Sequence, residues 1–106
     1  MTEILSWNVN GIRAVERKGF LSWLAGCGAQ IVCLQETKIQ EDQLTGELGS
    51  PEGWTSYWAC AKKKGYSGVA VYTREKPSRV GNLGISKFDD EGRVQILDYP
   101  SFSLIN

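Results

Sequence analysis

The chain has no histidine. Histidine is the side chain most often used as a general base near neutral pH. Hydrolytic chemistry here would therefore rest on a carboxylate, a tyrosine or metal-bound water. Paired cysteine motifs are absent too. Cys27, Cys33 and Cys60 form no CxxC pair and are odd in number, which argues against a disulfide framework and a structural zinc site. A reducing, intracellular setting is expected: cytoplasmic, or nuclear in a eukaryote. Net charge is absent as well, since 12 basic residues cancel 12 acidic ones, so any nucleic-acid binding has to use a local patch. No apolar run approaches membrane-spanning length, and no signal peptide is visible. Internal repeats, low-complexity segments and linkers are also lacking.

What is there is enough for one core. A chain of 106 residues reads as one domain that buries about two-thirds of its unfolded surface. Hydrophobic residues make up 42% and charged residues 23%, ordinary values for a globular protein. The stretch Leu5-Ser6-Trp7-Asn8-Val9-Asn10-Gly11 organises the rest. It reads as a strand ending in two amides and a glycine, residue types that suit strand ends better than strand interiors. Period 2 puts Asn8 and Asn10 on the same side, at the carboxyl end, where open α/β sheets bind ligands.

The first strand is expected over 3–7 and a helical pattern over 12–25. There Ile12, Val15, Phe20, Leu21 and Leu24 share an apolar face, with a bend or break at Gly19. The run 30–35 reads as a strand buried on both faces, with Cys33 a small core residue. Strand, helix and strand form a βαβ unit with parallel strands. Asn8 and Glu36 then lie on one edge of the sheet, about 5 Å apart if the strands are neighbours. A loop with one helical turn around 42–47 follows. Antiparallel strands 56–61 and 69–73 flank Lys62–Gly68, another strand covers 79–83, and a turn sits at 89–92. A last hairpin, 93–99 with 102–105, crosses Pro100-Ser101. The fold class is α/β: a mixed sheet of about six strands with one main helical segment. The sequence stops inside an apolar strand at Leu104-Ile105-Asn106. Because one helix does not cover such a sheet, the chain reads as cut rather than finished.

Several residues carry chemistry. Glu36, a carboxylate at a strand end beside amide oxygens, suits Mg²⁺, which takes oxygen ligands and often only one or two protein carboxylates; otherwise it is a solvated glutamate paired with Lys38. Asn8 and Asn10 are metal or phosphate contacts, or they end the strand and cap the helix at Ile12, the favoured role for Asn10. Lys62, Lys63, Lys64, Gly65, Tyr66 and Ser67 make a loop of lysines, glycines and an aromatic suited to phosphate, or an ordinary exposed turn. Arg93 clamps a phosphate or is a surface arginine. Trp7, Trp23, Trp54 and Trp58 read as core rather than as ligand platforms.

Taken together, the segments SWNVNGIRA (6–14), CLQETK (33–38), KGYSGVAVYT (64–73) and DDEGRV (89–94) resemble the exonuclease III family of apurinic/apyrimidinic endonucleases. GYSGVA separates this branch from the wider DNase I-like and phosphoinositide phosphatase enzymes. The resemblance implies a four-layered α/β sandwich, two sheets face to face with helices outside. It implies Mg²⁺-dependent hydrolysis (Mn²⁺ as the alternative ion) of double-stranded DNA, 5′ of abasic sites and from 3′ ends. Under it Glu36 is a catalytic metal ligand, Asn8 and Asn10 lie in or next to the metal shell, and Arg13, Tyr66, Ser67 and Arg93 face DNA. Family chains continue through YxPN and GDFN segments and an aspartate–histidine pair. Residues 1–106 are therefore expected to be the N-terminal part of one endonuclease/exonuclease/phosphatase-type domain, inactive alone. The alternatives are a non-catalytic DNA-binding or regulatory half-domain and a half-enzyme completed by another chain.

Overall fold

A computed structural model describes residues 2–44 and 46–106. The elements run β1 (Ile4–Asn8), α1 (Ile12–Arg17), α2 (Phe20–Gly26), β2 (Ile31–Gln35), β3 (Thr55–Ala59), β4 (Val69–Thr73), β5 (Arg79–Gly81), α3 (Ser86–Asp89), β6 (Ile96–Asp98) and β7 (Ser103–Ile105). The helical stretch breaks at Gly19, whose φ of +103° suits glycine. The turn expected around 42–47 is found as two 3₁₀ turns, Glu41–Gln43 and Gly46–Leu48; Thr45, between them, lies outside the described residues. Helix α3 was not expected. Its segment carries no side-chain N-cap, so the local signal that marks most helix starts is missing.

The α/β class holds, and so do the two sheets face to face that the resemblance implies; the mixed sheet of about six strands is found as a mixed sheet of four and an antiparallel one of three. Among the described residues, seven strands are split between two sheets, ordered β1-β2-β4-β3 and β5-β6-β7. The break follows from strand length: β5, β6 and β7 have three residues each and stack on the larger sheet instead of extending it. β1 and β2 pair in parallel with Asn8 opposite Gln35; every other pairing is antiparallel.

β2 is covered on both faces, as its unbroken apolar run requires. Val32 and Leu34 join Ala70 and Tyr72 of β4 against Ile12, Phe20 and Leu24 of the helices. Ile31, Cys33 and Val71 face the other way and meet Leu97 and Tyr99 of the smaller sheet. The helices therefore bury one face of the large sheet and the small sheet buries the other. Trp54 is buried and Trp58 packs against the same core. Trp7 and Trp23 depart from the expected core role: they stack edge to face 5.3 Å apart over Phe20 and keep one side in solvent.

Candidate metal and phosphate site

The site begins with backbone conformation. Parallel pairing puts the carboxyl ends of β1 and β2 on one edge. Beyond them the chain does not continue as strand, because Asn10, Glu36 and Lys38 have φ of +47°, +54° and +55°. The segment 36–38 is clamped from both sides. Gly11 and Ile12 donate backbone N–H bonds to Glu36 O (2.7 Å) and Thr37 O (2.9 Å), and Thr37 and Lys38 donate to Gly68 O (3.1 Å) and Ser67 O (2.8 Å). Thr37 is buried as a result, while Glu36 and Lys38 are partly exposed. Gly68, with φ of +90°, is required here, since a Cβ would run into the Thr37 hydroxyl. Gly92 answers to the same logic: a Cβ would come within 2.6 Å of Ala59 O.

The side chains then converge. The Asn8 Nδ2 donates to Glu36 Oε2, and Asn8 Oδ1 accepts from the Asn10 N–H at 3.1 Å. Lys38 Nζ donates to Asn10 Oδ1 at 2.5 Å and stands 3.9 Å from Glu36 Oε1. Asn10 is not the helix cap: the N-cap is Gly11 with no side-chain bond, because the left-handed turn directs the Asn10 amide to Lys38 instead. Among the described residues no three His, Cys, Asp or Glu side chains gather. The donor set is one carboxylate and two amides. All its donors are hard oxygens, which fits Mg²⁺ or Mn²⁺ and not a thiophilic metal. Glu36 would hold the ion, Asn10 would add an amide oxygen, and Asn8 would orient the carboxylate.

A cleft of about 230 Å³ opens beside this cluster, lined by Arg13, Lys38 and Lys64 with Gln40, Asp42, Gln43 and Gly65. The rest of the lysine loop is spread differently. Lys62 pairs with Asp90 at 3.3 Å. Lys63 sits over the Tyr66 ring at 5.3 Å. Arg93 donates to the Tyr66 hydroxyl at 2.7 Å and to Glu91 at 2.6 Å; these bonds, the Glu91 one foremost, push its guanidinium pKa further up. Apart from Lys62, which the structure ties to Asp90, and Ser67, the expected site residues fall into three groups: Asn8–Asn10–Glu36, Arg13–Lys64–Gly65, and Tyr66–Arg93 with Lys63. Ser67 links the loop to the cluster through its carbonyl. Lys38 is the member that sequence reasoning left as a mere ion-pair partner. Its signal was proximity in sequence, two residues from Glu36 just past the end of β2.

A half-sandwich of two stacked sheets with a carboxylate–amide cluster at parallel strand ends and basic loops beside it has the architecture of the DNase I-like class. The family described as Endonuclease/Exonuclease/phosphatase matches residues 5–104, and the chain belongs to that family. An exodeoxyribonuclease of Bacillus subtilis is 48% identical over 99 residues, covering 92% of this chain and 38% of that protein. The DNA repair nuclease APEX1 of Danio rerio is 42% identical over 106 residues, covering 97% of this chain and 34% of the relative. An AP endonuclease structure from Archaeoglobus fulgidus superposes with a TM-score of 0.83 at 28% identity, over 100% of this chain and 40% of that one. The chain spans less than half the length of each of these relatives.

Proposed function

We propose that these residues form the N-terminal part of a Mg²⁺-dependent DNA-repair nuclease that hydrolyses phosphodiesters of double-stranded DNA at abasic sites and from 3′ ends. The observation that carries this reading is the Asn8–Glu36–Asn10 cluster at the carboxyl ends of parallel β1 and β2, with a basic cleft beside it. The names of the relatives, an exodeoxyribonuclease and DNA repair endonucleases, support the same substrate class.

The geometry supports these roles: Glu36 would bind the ion, and Asn8 would orient the carboxylate through its Nδ2 bond, the task of an outer partner in a metal site. Arg13 and Lys64 attract backbone phosphate, and the Tyr66–Arg93 pair offers a flat aromatic with a charged edge. When bound, Mg²⁺ supplies Lewis-acid polarisation of a phosphoryl oxygen. The chain has no histidine, and the residues near Glu36 offer no evident group to orient water or protonate the leaving oxygen. Such groups typically contribute on the order of 10²–10⁴-fold each, so the 106 residues alone are expected to be inactive. Incision of an abasic duplex with Mg²⁺ by this chain and by its Glu36→Ala variant tests this. Background-level cutting by both is expected; robust cutting abolished by Glu36→Ala would mean that the site is already complete.

A further inference from the structure

The cluster contains a cation that the proposed roles leave unused. Lys38 Nζ lies 2.5 Å from Asn10 Oδ1 and 3.9 Å from Glu36 Oε1, and Lys38 also lines the cleft with Arg13 and Lys64. It is the residue common to the carboxylate–amide cluster and the basic cleft. Its position is not that of a loose surface lysine. A φ of +55° is sparsely populated by non-glycine residues and persists only where surroundings enforce it. Here the Lys38 N–H bond to Ser67 O and the neighbouring clamps enforce it.

We infer that Lys38 is a positioning residue with two linked effects. Its ammonium holds Glu36 and Asn10 in place in the absence of a divalent ion, and it competes with that ion for the same oxygens. This rests on the metal role proposed for Glu36. An ammonium and a divalent cation both seek hard oxygen, and they repel each other at short range. An ion arriving at Glu36 displaces Lys38 from Asn10 toward the cleft, where phosphate is the complementary partner. Without the ion, Lys38 masks the Glu36 charge from the phosphates of approaching DNA.

The test uses the full chain and Lys38→Met, which keeps the aliphatic stem and removes the charge. Lys38→Asn, which suits a left-handed backbone, guards against a folding defect. In EDTA, anisotropy of a labelled abasic duplex should show about tenfold weaker binding for either variant. In a Glu36→Gln background the same substitutions should cost about twofold or less. An equal loss in both backgrounds would make Lys38 an independent phosphate contact and overturn the inference. With Mn²⁺ followed by electron paramagnetic resonance, Lys38→Met should bind the ion severalfold more tightly and Lys38→Arg should not. Unchanged or weaker Mn²⁺ affinity in Lys38→Met, with binding lost in Glu36→Gln, overturns the inference and leaves the metal reading standing. Mn²⁺ affinity unaffected by Glu36→Gln overturns both.

Discussion

Among the described residues, the non-glycine residues with positive φ are Asn10, Glu36, Lys38 and Ser67, and all four belong to the site. Such conformations cost of order 1–3 kcal/mol each, less for Asn, and collect where function requires a side chain to point in a particular direction. Left-handed residues on either side of Thr37 turn its side chain inward and its neighbours outward. The Thr37 hydroxyl is then buried with no hydrogen-bond partner. Thr37→Val is therefore expected to raise stability, by about 1 kcal/mol, because an unsatisfied buried polar group is removed; a thermal melt that falls would show that the hydroxyl is engaged. Gly68→Ala should do the reverse, losing about 2 kcal/mol or more, since it combines an unfavourable φ with a clash on Thr37.

At the scale of elements, β2 is the strand on which both cores depend. Its inward residues alternate between helices and the small sheet. Phe20 contacts Trp7, Trp23 and Tyr72, and Phe20→Ala is expected to destabilise by about 3–5 kcal/mol; a denaturation midpoint close to that of the parent would contradict this packing. Burial also sets a pH limit. Desolvation raises the Cys33 thiol from 9.0 to about 11 and pushes the Tyr72 phenol up, with Glu16 adding to it. Both groups are neutral in the folded state and titrate earlier when unfolded. The Cys33 contribution is fully present below pH 9.0 and is lost as pH rises toward about 11, while that of Tyr72 is lost only at higher pH. Denaturant melts should show stability falling over that window, with a shallower fall in Cys33→Ala. An identical slope in that variant would place the alkaline transition elsewhere.

In the molecule as a whole, several large apolar side chains of the small sheet and of the segment before it stay in solvent: Val80, Leu83, Ile85, Phe88 and Ile105 are exposed, Ile105 at 69%. Large exposed apolar patches favour association, so the purified chain is expected to self-associate in light scattering; a dilution-insensitive monomer would count against this. DNA affinity should be weak and salt-sensitive. Replacing Lys62, Lys63 and Lys64 together by Ala should flatten the salt dependence, and an unchanged slope would reduce the loop to a turn.

How much of this was legible follows the same scales. The βαβ unit, its parallel pairing and the convergence of Asn8 with Glu36 were readable, because apolar periodicity and strand-end residues are local signals. The division into two sheets came only through the family resemblance and not from periodicity, because β5, β6 and β7 are too short to show a period. Asn10 was misread as a cap because its left-handed φ is imposed by tertiary bonds between 9–12 and 35–37, and no local pattern records these. Lys38 was legible as a neighbour of Glu36, but its bond to Asn10 depends on the same enforced turn.

These residues are proposed to supply the ion-holding part of a nuclease site. The most direct measurement grafts this chain onto the Bacillus subtilis exodeoxyribonuclease in place of the matched segment and follows DNA degradation with and without Mg²⁺. The hybrid is expected to be active, and Glu36→Ala to lower its rate by on the order of 10²-fold or more, as loss of a metal-holding carboxylate should. A folded, active hybrid indifferent to Glu36→Ala would contradict the proposal.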